Sequence, residues 1–318
     1  MIDFTLKHKD KFEKVFHSKS HAILLNSDDE TLLFDVAQSY AMSLSCKQEN
    51  KPCLMCSNCL KVLSNNSLDT FVYPKGEVLL NDEVMEILDN LSIVPAENEY
   101  KVFIIKNFEK INPLLQNKLL KSIEEPPKFV KFVLLVKNKL QVLETIISRC
   151  EVITLPKFEN SEFETLLQNF SEEQRQILTE CSNGNLTLLN KIMFDNSFIE
   201  NYNFALNLLI NMKKSGDLLK FSSEFIRNKQ NLIIILNLIS NFLNDIMMIN
   251  EGDIDLVKNK YCLDKLKTLS LEFSTRAILN IQKRLLLIDE KIKSNANINL
   301  IIDDLLLSIL EEKWNNKK

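Results

Sequence analysis

The chain has 318 residues, 45% of them apolar and 26% charged, with a net charge of −4. This length and apolar content suffice for two or three packed domains and exclude a disordered chain. The acidic balance excludes a whole-chain basic field that would draw the protein onto nucleic acid unaided.

The first residues, MIDFTLKHKDKFEKVF, carry charges every few positions and lack the continuous apolar stretch of a secretory signal, so the expected compartment is the cytoplasm. HAILL (21–25) then reads as a short buried strand, followed by a helix from about Glu30 to Ser45. A P-loop belongs between such a strand and helix, because glycines let backbone N–H groups cradle phosphate and a lysine reaches its outer oxygens. The segment here is LLNSDDETLL, without glycine or lysine, and Asp28, Asp29 and Glu30 at the helix start repel the phosphate that a helix N-terminus otherwise attracts. The first glycine of the chain is Gly76; nucleotide binding through a P-loop is therefore not expected.

CKQENKPCLMCSNC comes next, spacing Cys46, Cys53, Cys56 and Cys59 as C-x6-C-x2-C-x2-C. Four thiolates complete a tetrahedral Zn²⁺ and leave no open position, so such a site staples and does not catalyse. An iron–sulfur cluster, a redox CxxC pair or coincidence are the other readings; the Cys-Pro that closes a ferredoxin run is missing. Cys150, Cys181 and Cys262 stand alone and are expected to be small core residues.

DTFVY (69–73) reads as a strand, NDEVMEILDNLS as a helix with Val84, Ile87, Leu88 and Leu91 at helical spacing, and KVFII (101–105) as a buried strand. A Walker-B strand ends in an acid that holds Mg²⁺; this one runs into Lys106 and Asn107. INPLLQNKLLKSIEEPP is a punctuated helix, with Asn112 to cap it, Pro113 at its first position and Pro126-Pro127 to stop it. KFVLLV (131–136) is a strand, VLETIISRC contains a short helix, and EVITL (151–155) is a further strand. Between Lys101 and Lys139, nine lysines face Glu109, Glu124 and Glu125, which is either one basic face approaching phosphate or an ordinary solvated surface. In SRC (148–150), an arginine at the sheet's rim can reach a neighbouring subunit's nucleotide or serve structure alone.

Alternation of strands and helices predicts a parallel α/β sheet. Beyond Pro156 the pattern is helical. SEFETLLQNFSEEQRQILTECSNGNLTLLNKIM predicts a small bundle with Gly184 as a helix stop, and long amphipathic stretches such as TRAILNIQKRLLLIDEKIKS and NLIIDDLLLSILEEKW fill the rest. The most apolar stretch, NLIIILNLISNFLNDIMMI, is broken by Asn237, Asn241, Asn244 and Asp245 and is expected to be a buried helix, with no membrane partner.

The cysteine module, the segment LSIVPAENEYKVFIIKNFEKINPLLQNKLLKSIEEPPKFVKFVLLV and TIISRCEVITLPKF, in this order, resemble the AAA+ subunits of the bacterial DNA polymerase III clamp loader over about residues 20–157. Within them the chain looks like the delta-prime type, which often lacks a working nucleotide site. The resemblance implies an AAA+ α/β domain over 1–157 with a zinc module at 46–59, a small helical lid over 158–197 and an all-helical collar over 198–318. It implies structural zinc on Cys46, Cys53, Cys56 and Cys59, no ATP and no catalytic residue of its own. Arg149, with Ser148 and Cys150 shaping its turn, then acts as a trans arginine finger on the ATP site of an adjacent tau/gamma subunit. The implied partners are tau/gamma, delta, the sliding clamp and, through the complex, primed DNA.

Two departures agree with an inert member: Lys106 and Asn107 at the Walker-B acids, and Thr187 near the place of a sensor arginine. A third is the first cysteine gap, six residues where eight are associated with the family. The alternatives are an autonomous zinc-containing nucleic-acid-binding protein and an ATP-hydrolysing tau/gamma-type subunit.

Overall fold

A computed structural model describes residues 2–195, 197–293 and 298–315. The chain forms two compact units, Met1–Phe158 with Asn185–Thr187, and Glu159–Gly184 with Leu188–Lys318.

In the first unit two short helices, α1 (Ile2–Lys7) and α2 (Glu13–Phe16), precede strand β1 (Ala22–Asn26), helix α3 (Glu30–Ser45) and helix α4 (Ser57–Leu63). Then follow β2 (Thr70–Tyr73), α5 (Asn81–Leu91), β3 (Lys101–Ile105), α6 (Pro113–Glu124), β4 (Val130–Val136), α7 (Glu144–Ile147) and β5 (Glu151–Thr154). The strands pair in the order β2-β3-β4-β1-β5 and every pairing is parallel, with Leu24 opposite Leu134 on one side and Val152 on the other. Parallel strands are covered on both faces, so central strands are apolar without alternation. That is why HAILL, KVFII and KFVLLV read as continuous runs, while β5 at the edge buries only Ile153. One core lies between the sheet and α5 and α6: Leu24, Phe103, Ile105, Phe132 and Leu134 meet Val84, Ile87, Leu119 and Ile123. Helix α6 starts where its caps demand, the Asn112 side chain accepting from Leu114 N at 2.9 Å with Pro113 at the first position. This is the AAA+-type parallel sheet domain implied by the motifs.

The lysine surplus is not one free face. Lys101 is buried and donates to the carbonyls of Asn90 (3.1 Å) and Ile93 (2.8 Å), closing the end of α5. Lys131 donates to Lys19 O and Ser20 O, Lys118 to Asn81 Oδ1, and Lys137 pairs with Glu30. Lys101 and Lys131 hold backbone carbonyls, Lys118 a side-chain amide and Lys137 a carboxylate, so all four are engaged within the chain.

The second unit is helical: α8 (Glu172–Ser182), most of α9 (Leu186–Phe194), α10 (Phe198–Asn211), α11 (Ser215–Arg227), α12 (Leu232–Glu251), α13 (Leu263–Ser270), α14 (Thr275–Lys293) and α15 (Ile298–Asn315). Ser294, the last residue of the first long stretch quoted above, lies outside the described residues. Ser171 and Gln174 cap α8 reciprocally. The stop of α8 differs from expectation: Asn183 takes the left-handed position (φ 48°) and Gly184 (φ 73°) continues it, an Asn-Gly pair in place of glycine alone.

Helix α12 is long and apolar enough to cross a membrane by length and composition, yet it packs against α10, α13 and α14. Asn237, Asn241 and Asn244 lie on its exposed stripe. Asp245 is buried, and its carboxylate accepts from Lys258 N (2.9 Å), Asn259 N (3.0 Å) and Asn259 Nδ2 (2.6 Å). A buried charge so satisfied tethers the loop after α12.

Glu180 on α8 accepts Tyr261 N on both oxygens, at 3.0 and 3.1 Å. Burial pushes its carboxyl up to about 7, against the Tyr261 N–H, which favours the anion. A carboxyl whose folded pKa is raised contributes stability that is complete below its unfolded value and lost as pH rises through about 7. Glu180→Gln is therefore expected to raise the melting temperature at pH 8, by about 2–4 °C, and to leave it unchanged at pH 4. Thermal melts of both proteins across that range check it; a gain that is the same at both pH values would remove the titration as its cause.

Candidate metal centre and rim arginine

The four cysteines converge because two elements bring them from opposite sides. Cys46 is the C-cap of α3, its N–H bonded to Met42 O, and Cys56 is the N-cap of α4, which carries Cys59 one turn later. Leu54, in the left-handed region (φ 59°), turns the chain between Cys53 and Cys56. All four Sγ atoms lie within 4.8 Å of one another, with Cys53–Cys59 and Cys46–Cys56 at 4.0 Å. Thiolates 2.3 Å from a tetrahedral metal stand about 3.8 Å apart, so the set fits a four-sulfur ion site. The shortened first gap does not keep Cys46 away.

Backbone N–H groups point at two of the sulfurs, Cys56 N at Cys53 Sγ (3.3 Å) and Cys59 N at Cys56 Sγ (3.5 Å). Such donors favour thiolate: the N–H groups of Met55 and Cys56 hold the Cys53 thiol down to about 6, whereas burial pushes Cys59 up to about 12. A cation held by the four sulfurs would supply what the buried Cys59 sulfur lacks.

The module is tied to the sheet by polar groups. Asn58 of α4 donates to Ser45 O (2.9 Å) and Asn98 Oδ1 (3.0 Å), and Gln38 of α3 donates to Val62 O (3.0 Å). Asn98 in turn meets Asp69, a buried carboxylate before β2 that accepts from Ala96 N, Glu97 N, Asn98 N and Asn98 Nδ2 at 2.7–3.1 Å.

At the place of the phosphate loop stands a carboxylate. Asp29 is 1% exposed and caps α3 through Leu32 N (3.0 Å). It also accepts from Leu186 N, from Thr187 N (3.1 Å) and from Thr187 Oγ1 (2.7 Å), while Thr187 Oγ1 accepts from Thr31 N (2.8 Å). The helix N-terminus that binds phosphate in other proteins here holds an anion of the chain itself. Thr187, read from sequence as a missing arginine, is that carboxylate's partner. Lys106 turns its ammonium over the Phe34 ring, 5.7 Å from the centroid, and Asn107 takes a left-handed turn (φ 51°). Asp29→Ala would orphan several buried donors and is expected to cost about 3 kcal/mol in urea unfolding; a loss below about 1 kcal/mol would show that water replaces the carboxylate at no penalty.

SRC lies between α7 and β5. Ser148 is the C-cap of α7, its hydroxyl donating to Thr145 O at 3.2 Å. Cys150 packs on the sheet core, where burial pushes its thiol up to about 12, so it is an inert anchor. Between them Arg149 turns outward. Its Nη1 donates to Thr145 O (2.9 Å), its Nη2 donates to Glu124 Oε1 (3.0 Å), and its Nε lies 2.9 Å from Glu124 Oε2. Glu124 is the last residue of α6; in the sequence it stands only as an acid of SIEEPP among the surrounding lysines. Gln116 of α6 joins the same region: its Nε2 donates to Ile111 O and its Oε1 accepts from Leu143 N just before α7.

An all-parallel sheet in this strand order, with a four-thiol module after its first long helix and an arginine at the rim before its fifth strand, has the layout that the motifs imply for an AAA+-type clamp-loader subunit. The family model of "DNA polymerase III, delta subunit" matches residues 7–159, and that of "DNA polymerase III, delta subunit, C terminal" matches residues 197–311. The chain belongs to this family, the DNA polymerase III clamp-loader subunits of delta-prime type. It is 24% identical to the delta' subunit of Bacillus subtilis over 301 residues, spanning 92% of this chain and 91% of that one. It is 30% identical to the gamma subunit of Buchnera aphidicola (subspecies Baizongia pistaciae) over 141 residues, but there it spans only 38% of the relative's length. Among solved structures, a gamma subunit-related protein of Thermotoga maritima is similar over 96% of this chain and 99% of that one, at 16% identity and a TM-score of 0.48.

Proposed function

We propose that this chain is the ATP-inert stator of a bacterial DNA polymerase III clamp loader, acting in the cytoplasm with tau/gamma and delta to place the sliding clamp on primed DNA. One contrast carries the reading: the chain's own phosphate position is filled by the Asp29 carboxylate, while Arg149 projects from the rim between two anchored neighbours. The arginine serves a nucleotide bound elsewhere, that of an adjacent tau/gamma subunit. Planar guanidinium donors suit the charge that spreads over the oxygens of a transferring phosphoryl group.

Structural zinc on Cys46, Cys53, Cys56 and Cys59 staples the end of α3 to α4, and a closed four-thiolate shell leaves it no catalytic position. The division into a domain over 1–157, a lid over 158–197 and a collar over 198–318 belongs to the same reading.

The test is reconstitution. The purified chain is mixed with tau/gamma and delta, and co-purification and DNA-stimulated ATP hydrolysis are measured. A stator co-purifies, binds no ATP alone and raises hydrolysis in the mixture. Tight ATP binding by the isolated chain, or failure to join the complex, would sink the proposal.

A further inference from the structure

We propose that Glu124 is the positioning residue for Arg149, holding the guanidinium by one edge so that its other edge faces outward. The inference rests on the reading of Arg149 as a trans finger and goes beyond it by naming what aims the finger.

Geometry distinguishes a guide from a lock. A guanidinium has five N–H donors in a rigid plane. Glu124 occupies the side edge: Nη2 donates to Oε1 at 3.0 Å and Nε sits 2.9 Å from Oε2. Nη1 gives one hydrogen to Thr145 O at 2.9 Å. Nη1 also reaches Ser148 Oγ over a longer 3.4 Å, while Nη2 has a second hydrogen beyond the one it gives Glu124. With the Nη2 hydrogen and the weakly held Nη1–Ser148 contact, the guanidinium can meet phosphate oxygens without leaving Glu124.

The guide is itself fixed. Glu124 ends α6, whose Leu119 and Ile123 are fully buried in the sheet core, and Thr145 belongs to α7, anchored by buried Ile146. A long side chain at the surface is thus held along its Nε/Nη2 edge and at Nη1 by groups on packed helices, which removes rotamers the finger would otherwise have to lose on engagement. The pair is mutually supporting: the arginine holds the Glu124 carboxyl below its ordinary range, and Glu124 raises the guanidinium further still, so both are charged at neutral pH.

The test uses the assembled complex with Glu124→Gln, Glu124→Asp, Arg149→Ala and the double variant Glu124→Gln/Arg149→Ala. Four quantities are read: assembly, affinity for a non-hydrolysable ATP analogue, the maximal rate and KM of DNA-stimulated hydrolysis. A guide predicts a fall of about tenfold or more in the maximal rate for Glu124→Gln, a smaller fall for Glu124→Asp, unchanged assembly and unchanged analogue affinity. In the Arg149→Ala background Glu124→Gln adds nothing, because it acts only through the arginine. A rate that is unchanged or raised in Glu124→Gln overturns the guide, and a raised rate identifies Glu124 as a restraint. If Arg149→Ala alone has no effect, the finger reading fails and the inference goes with it. If Arg149→Ala is severe while both Glu124 variants are silent, the inference alone fails.

Discussion

If Arg149 serves a neighbour's nucleotide as proposed, Arg149→Ala in the assembled complex is expected to slow ATP hydrolysis there by about a thousandfold or more, the scale on which arginine fingers act. That is about 4 kcal/mol of transition-state stabilisation. The effect is expected in the chemical step and not in folding. Arg149 is half-buried at the rim, while Cys150 does the packing and Ser148 the helix capping, so truncating the arginine leaves both anchors in place. Single-turnover hydrolysis on primed DNA with a clamp present checks this, alongside a thermal melt of the isolated chain. Arg149→Lys keeps the charge and loses the fork, and is expected to recover only part of the rate. Equal rates for Arg149→Ala and the unaltered chain would leave SRC as a structural turn.

Removal of the metal is expected to have the largest structural effect. The purified chain should carry one zinc ion, and Cys59→Ala or prolonged treatment with a strong chelator should release it. Structural zinc contributes about 10–16 kcal/mol to the folding of small modules, far more than the hydrogen bonds that otherwise hold residues 46–64. Without an ion to share, the four sulfurs of Cys46–Cys59 are held less tightly, and the loop between α3 and α4 is expected to open. The damage should reach the sheet through Asn58, Asn98 and Asp69, so the whole first unit should melt lower and residues 46–64 should become the first site of proteolysis. Elemental analysis, melting curves and mass spectrometry of the nicked chain read these outcomes. A chain that contains no zinc and shows all four thiols freely titratable, with an unchanged melt, would remove the staple.

Much of the fold was legible because its signals are local. Continuous apolar runs at HAILL, KVFII and KFVLLV mark strands covered on both faces, and Asn112-Pro113 with Pro126-Pro127 bounds α6, since caps and prolines act within one turn. The C-x2-C spacing is a local signal too, because both sulfurs of such a pair meet one ion across a single turn. Charge counting left two readings open for the opposite reason. Lys101 and Lys131 belong to a positive surplus in the sequence, but each is spent on backbone carbonyls contributed by other segments.

By itself, then, the sequence determined the strand and helix pattern, the thiol-rich module and the loss of a glycine phosphate loop, each written in residues a few positions apart. Tertiary structure alone decided what faces what across long stretches of chain. Cys46 joins the cluster despite its shortened gap because α3 ends beside the start of α4. Asp29 becomes the anion at the helix N-terminus because Thr187, 158 residues later, closes over it. Glu124 meets Arg149 because α6 and α7 pack together, although 25 residues separate the two. A carboxylate's role is set by the donors around it, and donors brought from distant segments leave no periodic trace in the sequence.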